Sequence, residues 1–173
     1  VRNMDVDHHG QIWMATGAGL TVFNGVRAHS YRFYCEKLKG NAKVYDVCEG
    51  LGNSIFVGTS EGVYEMKYGS DSFVNVLPNL ANSENLFAVG HLLYIGAREG
   101  LFLYDGKKAR KINMGKRAKL DYLPRHFAQD KQGNIWFDTR YSLCCYNPKT
   151  DKLVSKQITK QMPYNSLLAK FAL

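Results

Sequence analysis

A short motif occurs four times in this chain, and its repetition constrains the fold more than any other feature of the sequence. Each copy contains a glycine turn, then a short apolar strand with an aromatic residue near its centre, then Thr or Ala. The central aromatics are spaced by 43, 38 and 42 residues and are Trp13, Phe56, Tyr94 and Trp136. Repeats of about 40 residues that are dense in short strands are typical of β-propellers, in which each blade is a four-stranded sheet.

Turn residues divide each repeat into four strands. Asn24-Gly25 and Asp105-Gly106 are examples, since these pairs supply the backbone angles of tight hairpins. We therefore predict an all-β fold, a β-propeller fragment of about four four-stranded antiparallel blades plus the first strand of a fifth. The whole chain, 1–173, is read as one partial propeller with blade repeats at about 1–36, 43–77, 85–113 and 123–158, and the start of a further blade at 166–173. A closed four-bladed ring is the alternative, but an arc of a larger ring accommodates the leftover strand better.

The composition suits such a fold. The chain is 45% hydrophobic and 13% aromatic, which favours strands with a packed core and disfavours disorder. No run of 18 apolar residues occurs, so we expect no membrane insertion by this segment. The four cysteines include the adjacent pair Cys144 and Cys145, whose disulfide would strain a strand, and we expect all four to be unpaired packing residues.

The net charge of +8 is concentrated in one region. Seven cations and no acid occur in the basic run, which consists of Lys107, Lys108, Arg110, Lys111, Lys116, Arg117 and Lys119. This run is either a solvated loop and strand edge or a surface for an acidic partner such as a sulfated or uronic-acid glycan. It lacks interleaved aromatics for base stacking, so we expect no nucleic-acid partner.

The repeat has a recognisable consensus. The pattern Asp-x-x-Gly-x-Ile-Trp-x-x-Thr, followed closely by Leu, extends from Asp7 to Leu20 and again from Asp130 to Leu143. It resembles the two-component regulator propeller repeat, and the resemblance covers essentially the whole chain. Neither the Gly-His…Trp-Asp signature nor the Gly-Gly doublet of kelch repeats is present.

This resemblance implies a function and a location. It implies the periplasmic, ligand-sensing part of an inner-membrane hybrid two-component sensor histidine kinase and response regulator, of the kind found in Bacteroidetes-type bacteria. The implied ligand is a glycan-derived oligosaccharide, possibly an acidic one, and the intact sensor is expected to be a homodimer. The kinase would lie outside this segment.

Propeller topology predicts where a ligand would bind. The turns between the second and third strands share one face with the connections between blades, and repeat-breaking polar residues occur there. The candidate ligand-binding residues are Arg98, Arg140, Tyr141, Arg125, His126, Asp138 and Lys43. Arginine can hold a carboxylate or sulfate bidentately, and Tyr141 can stack on a sugar ring. Asp138 stands where Gly58 and Gly96 occur in other repeats, and a purely local hydrogen bond is its alternative role.

Motifs of catalysis are missing from the sequence. There is no Gly-x-Ser-x-Gly elbow, no Walker loop and no His-Glu-x-x-His. His8-His9 has no further His or Cys at ligand spacing, so we expect neither a metal nor another cofactor. We expect this segment not to be an enzyme. The alternatives are a propeller lyase that acts on a polysaccharide and a propeller used only for protein interaction or dimerisation.

Overall fold

The computed structural model describes residues 1–36, 39–114 and 123–157. Strands and turns make up these residues, and four four-stranded antiparallel sheets account for most of the strands. The predicted all-β propeller-type fold is therefore confirmed. The chain divides into two compact units, Val1–Ile112 and Asn113–Leu173, and each is described by itself. The predicted further blade at 166–173 lies outside the described residues.

The first unit holds three blades. Blade one contains β1 (Asn3–Val6), β2 (Ile12–Thr16), β3 (Gly19–Phe23) and β4 (Ala28–Tyr31), followed by a small hairpin of β5 (Tyr34–Cys35) and β6 (Gly40–Asn41). Blade two contains β7 (Val44–Gly50), β8 (Ser54–Thr59), β9 (Gly62–Met66) and β10 (Val74–Leu77). Blade three contains β11 (Ser83–Val89), β12 (Leu92–Ala97), β13 (Gly100–Tyr104) and β14 (Ala109–Lys111).

The second unit holds blade four, made of β15 (Arg125–Gln129), β16 (Ile135–Thr139), β17 (Ser142–Asn147) and β18 (Lys152–Gln157). In every blade the strands pair with their neighbours in chain order, as successive hairpins require. The outer strand of blade one ends at Tyr31, and the chain then turns and buries Phe33 and Cys35 against blade two.

Two apolar clusters hold the first unit together. Trp13 and Val57 belong to the cluster between blades one and two, and Phe56 and Leu93 belong to the one between blades two and three. Within blade two, β8 buries side chains on both of its faces, so it is buried along its whole length. The four cysteines are free thiols; three of them are buried and Cys145 is half-buried.

The consensus Asp and Trp form a local brace in two blades. In blade one the Asp7 carboxylate accepts the Trp13 indole N–H at 2.8 Å and two backbone N–H groups of its own turn at 2.9 Å. In blade four Asp130 accepts the Trp136 indole N–H, also at 2.8 Å, and backbone N–H groups at 2.8 and 3.0 Å. The most recognisable residues of the repeat therefore fix the hairpin and orient the packed aromatic ring.

Candidate functional site

Irregular pairing marks the start of three inner strands. The register shifts between Val44 and Asp46 in β7, between Ser83 and Asn85 in β11, and between Arg125 and Ala128 in β15. Tyr45, Glu84 and His126 lie inside these shifts. A bulge redirects the side chain of the extra residue and is common beside functional sites. In each unit, these residues lie at the blade end that carries the turn between the second and third strands.

Tyr45 is the centre of a polar cluster in the first unit. The Arg2 guanidinium lies 5.1 Å from the centroid of the Tyr45 ring, and the Tyr45 hydroxyl donates a hydrogen bond to Asn82 Oδ1 at 3.1 Å. Burial raises the pKa of Tyr45, the carboxylates of Glu84 and Glu61 raise it further, and the positive charges of Arg2 and Arg98 lower it. We call Arg2, Tyr45, Glu61, Asn82, Glu84 and Arg98 the Tyr45 cluster. Its members come from blades one, two and three.

Two sequence-predicted residues lie in or beside this cluster. Arg98 is exposed in the turn between β12 and β13, and its charge acts on Tyr45. Lys43 directly precedes β7 and is exposed. Its backbone N–H donates to Ser60 Oγ at 3.1 Å, and its carbonyl accepts from the Ser60 N–H at 2.9 Å. Lys43 is thus anchored beside the β8–β9 turn with its side chain in solvent.

The other five predicted residues belong to the second unit. His126 Nδ1 lies 2.7 Å from Asp138 Oδ1, and His126 has a backbone φ of 48°. Arg125 is the register partner of Asp138. Arg140 lies in the β16–β17 turn with its guanidinium 5.4 Å from the centroid of the exposed Tyr141 ring. The structure thus brings these five residues to one end of blade four, and Asp138 makes the local contact that was its alternative role.

Sequence reasoning missed Arg2, Tyr45, Asn82 and Glu84. A register shift leaves no clear mark in a single repeat, so the sequence does not distinguish Tyr45 and Glu84 from ordinary positions in or before an inner strand. A signal does exist at Asn82, whose φ of 55° is a conformation that Asn tolerates better than most residues. Tyr45, Glu84 and His126 occupy equivalent positions in the register shifts of blades two, three and four, an equivalence that the paired strands reveal.

The described part of the basic run is exposed. Lys107, Lys108, Arg110 and Lys111 all lie on the surface at the outer edge of blade three. The backbone N–H groups of Lys107 and Lys108 donate to Asp105 Oδ1 at 2.8 and 2.7 Å, so the run begins on a tight turn. Lys116, Arg117 and Lys119 lie outside the described residues.

The two adjacent histidines have other contacts. The His8 imidazole pairs with the Glu49 carboxylate, and the His9 ring stacks on Tyr68 at a centroid distance of 5.7 Å. Across residues 1–36, 39–114 and 123–157, no three His, Cys, Asp or Glu side chains are grouped so that they could hold a metal ion. The same residues include no helix with the length and apolar character needed to cross a membrane.

Comparison with known proteins identifies structural neighbours. The chain resembles the extracellular domain of the hybrid two-component system BT4673 from B. thetaiotaomicron, with a TM-score of 0.75, 20% identity and coverage of 94% of this chain and 22% of that one. For the corresponding domain of BT3049 from the same organism the TM-score is 0.70, with 18% identity and coverage of 93% and 23%. A streptogramin B lyase aligns with a TM-score of 0.70, 12% identity and coverage of 91% and 54%.

These similarities establish the architecture. The fold is that of a β-propeller segment, and its structural neighbours include extracellular domains of hybrid two-component systems. The chain spans less than a quarter of the length of those two domains. No family model and no curated protein matches it.

Proposed function

We propose that this chain is a ligand-sensing propeller segment of an extracytoplasmic sensor in a hybrid two-component system, and that it recognises a glycan-derived oligosaccharide. The observation that carries the proposal is the Tyr45 cluster, where Arg2 and Asn82 contact one tyrosine and charged side chains of blades two and three act on it electrostatically. The similarity to extracellular domains of two such systems supports the sensor role. Recognition at a blade end suits a propeller, because several blades contribute side chains there.

The chemistry of the Tyr45 cluster suits an oligosaccharide with an acidic group. Arg2 and Arg98 present guanidinium groups, which bind a carboxylate or sulfate through paired hydrogen bonds. The Glu84 carboxylate can accept hydrogen bonds from sugar hydroxyls. Lys43 adds a further exposed ammonium group beside the same blade end.

The polar end of blade four is a separate candidate surface, described within the second unit alone. Asp138 orients the His126 ring by a hydrogen bond, so His126 presents its other ring nitrogen in a defined direction. Tyr141 carries an exposed aromatic ring with Arg140 beside it. The basic run at the edge of blade three remains a candidate surface for an acidic partner.

Signalling would follow from differential binding. In this proposal the intact sensor is a homodimer of a periplasmic region anchored in the inner membrane. Oligosaccharide binding favours one arrangement of the paired sensor regions, and a histidine kinase elsewhere in the protein responds to that arrangement. A ligand can shift such an equilibrium only by its difference in affinity for the two arrangements.

The test is calorimetry on the intact protein with a panel of neutral and acidic oligosaccharides. We expect saturable binding of at least one member, and Arg98→Ala should weaken it about ten-fold or more, since a charge-assisted contact is lost. Lys131→Ala is the control, because Lys131 is an exposed cation in the turn between β15 and β16, at the blade end opposite the one that carries the turn between the second and third strands. No binding to any member of the panel would contradict the proposal.

One observation favours an enzyme as the second candidate. The hydrogen-bonded pair of His126 and Asp138 is the arrangement that orients a histidine as a general base, as a polysaccharide lyase requires. Turnover of a polysaccharide by the purified protein, abolished by His126→Gln, would establish this alternative. Binding without turnover would favour recognition.

A further inference from the structure

A cavity of about 330 Å³ lies between blades one and two of the first unit. Residues of β2, β3, β4 and their turns form one wall, and Met66, Ser70 and Asp71 of blade two form the other. Successive hairpin turns alternate between the two ends of a blade, so this cavity lies at the end opposite the Tyr45 cluster. Its volume is at the small end of the range for small-molecule sites, roughly 300–1,000 Å³.

An ordered aromatic wall lines the cavity. Trp13 is held by the hydrogen bond to Asp7, and its ring stacks on Tyr31 at a centroid distance of 6.1 Å and an interplanar angle of 23°. His29 meets Tyr31 edge-on at 4.7 Å, and Phe73 supports Tyr31 from blade two at 5.1 Å. These contacts restrict the rings, so a ligand would lose little free energy to ordering them.

The rim of the cavity carries available polar groups. The side chains of Gln11, Arg27 and Asp71 line it and make no hydrogen bond or ion pair to other residues within the described ranges. Asp71 lies close enough to Tyr31 for its carboxylate to add to the effect of burial in raising the pKa of that tyrosine. Arg27 and Asp71 carry opposite charges, so these two groups give the rim no net charge.

We propose that this cavity is a saccharide pocket that holds one neutral pyranose unit. A sugar ring has an apolar C–H face that packs on aromatic side chains, and its hydroxyl groups donate to Asp71 and Gln11 and accept from Arg27. A purely apolar ligand would leave those rim groups desolvated and unpaired, which is unfavourable. An anionic ligand would be repelled by the Asp71 carboxylate.

This inference rests on the proposed function, because it takes its class of ligand, a saccharide, from that function. It adds a binding location that is separate from the Tyr45 cluster and that the repeat pattern does not predict. A glycan sensor with contact points at opposite ends of its blades would bind an acidic unit at one end and a neutral unit at the other. The pocket is built from blades one and two alone, so it does not depend on the second unit.

The experiment measures saccharide binding to the intact protein by saturation-transfer NMR and calorimetry. The saccharides are glucose, galactose, mannose, xylose and their disaccharides. Asp71→Asn removes the charge at nearly constant size and should weaken saccharide binding about ten-fold or more. Its thermal unfolding should match that of the wild type, because Asp71 is exposed. Glu36→Gln is the matched control, an exposed carboxylate in the loop after β5, and should leave binding unchanged.

The outcomes separate the pocket from the proposed function. Weaker binding in Asp71→Asn with normal binding in Glu36→Gln supports the pocket, whether or not Arg98→Ala also weakens binding. If a saccharide binds and only Arg98→Ala weakens it, the pocket is wrong and the proposed function stands. If neither these sugars nor the oligosaccharide panel binds, both are overturned.

Discussion

At the scale of single residues, Asp130 stabilises its hairpin by accepting hydrogen bonds from several donors at once. Its carboxylate accepts the indole N–H of Trp136, the side-chain amide of Asn134 and two backbone N–H groups of the turn. These hydrogen bonds, the one from Trp136 most of all, lower the pKa of Asp130 from 3.8 to about 2. The charged form is therefore favoured by folding.

We expect a pH dependence of stability that traces to Asp130. A carboxyl whose pKa is lower in the folded state adds stability above its unfolded pKa, and this stability is lost as the pH falls from about 4 towards 2. The free energy of unfolding, measured by urea denaturation in this window, should fall less steeply in Asp130→Asn than in the wild type. Asp71→Asn serves as the control, and an equal slope in all three proteins would contradict the assignment.

One repeat position, Gly58 in blade two and Asp138 in blade four, makes a different contact in each of the two blades. At Gly58 an added Cβ would lie 2.3 Å from the backbone oxygen of Ser83, so the approach of blade three requires glycine there. The equivalent position in blade four carries Asp138, whose carboxylate holds His126. A departure from the consensus thus changes a packing position into a polar contact.

At the scale of single elements, a threonine closes the central hairpin in three blades. Thr59 Oγ1 donates to the Gly62 carbonyl at 2.9 Å and accepts the Glu61 N–H at 3.0 Å, and the residue is fully buried. Thr16 makes the same pair of contacts in blade one. Blade three has Ala97 at this position and forms the hairpin without the hydroxyl.

Replacing this hydroxyl should destabilise the protein measurably. Thr59→Val keeps the β-branched shape but leaves the partly buried Glu61 N–H and the buried Gly62 carbonyl without the threonine hydroxyl, which costs about 1–3 kcal/mol. Thr21→Val is the control, since Thr21 is half-buried and its hydroxyl contacts only the exposed Ser30. Denaturant unfolding of both variants gives the comparison. A loss of similar size in both would show that the hairpin contact is unimportant.

Among the features of single elements, the irregular strand pairings are the ones that shape the proposed recognition surface. The inner strands β7, β11 and β15 each contain a register shift, whereas the β1–β2 pairing is regular. The shifts set Tyr45, Glu84 and His126 in their positions at the ends of the blades. The proposed recognition surface therefore depends on how strands are paired as well as on which residues are present.

At the scale of the whole first unit, Asp46 links three inner strands. This buried carboxylate of β7 accepts hydrogen bonds from the Asn3 side chain on β1 and from the Leu86 N–H of β11 at 2.6 Å. Burial raises its pKa, and the hydrogen bonds from Asn3, Leu86 and Val47 oppose that effect. The three blades of this unit are thus joined by a polar contact as well as by the two apolar clusters.

Packing between blades gives a direct test at this scale. Gly58→Ala should destabilise the protein by about 1–3 kcal/mol, because the new methyl group overlaps the Ser83 carbonyl and the blades must separate. Gly17→Ala is the matched control, since no atom lies within 4 Å of its added Cβ. Thermal unfolding that is equally unaffected in both variants would contradict this account of the blade contact.

The sequence by itself determined the blade plan and the local braces of this protein. Strand number, hairpin positions and the Asp130–Trp136 and Thr59–Gly62 contacts depend on residues within about six positions of one another, so a repeat pattern contains them. It also placed Arg98, Arg140 and Tyr141 in the turns between the second and third strands, because turn positions follow from strand order.

Only the tertiary structure decided which distant side chains meet. Arg2, Tyr45 and Asn82 come together across about 80 positions of sequence, and the cavity beside Tyr31 needs blade two to close it. A bulge changes the direction of a side chain without changing the hydrophobic pattern that the sequence displays. Long-range packing chooses among such registers, and for that reason the two sites proposed here became visible only in the folded chain.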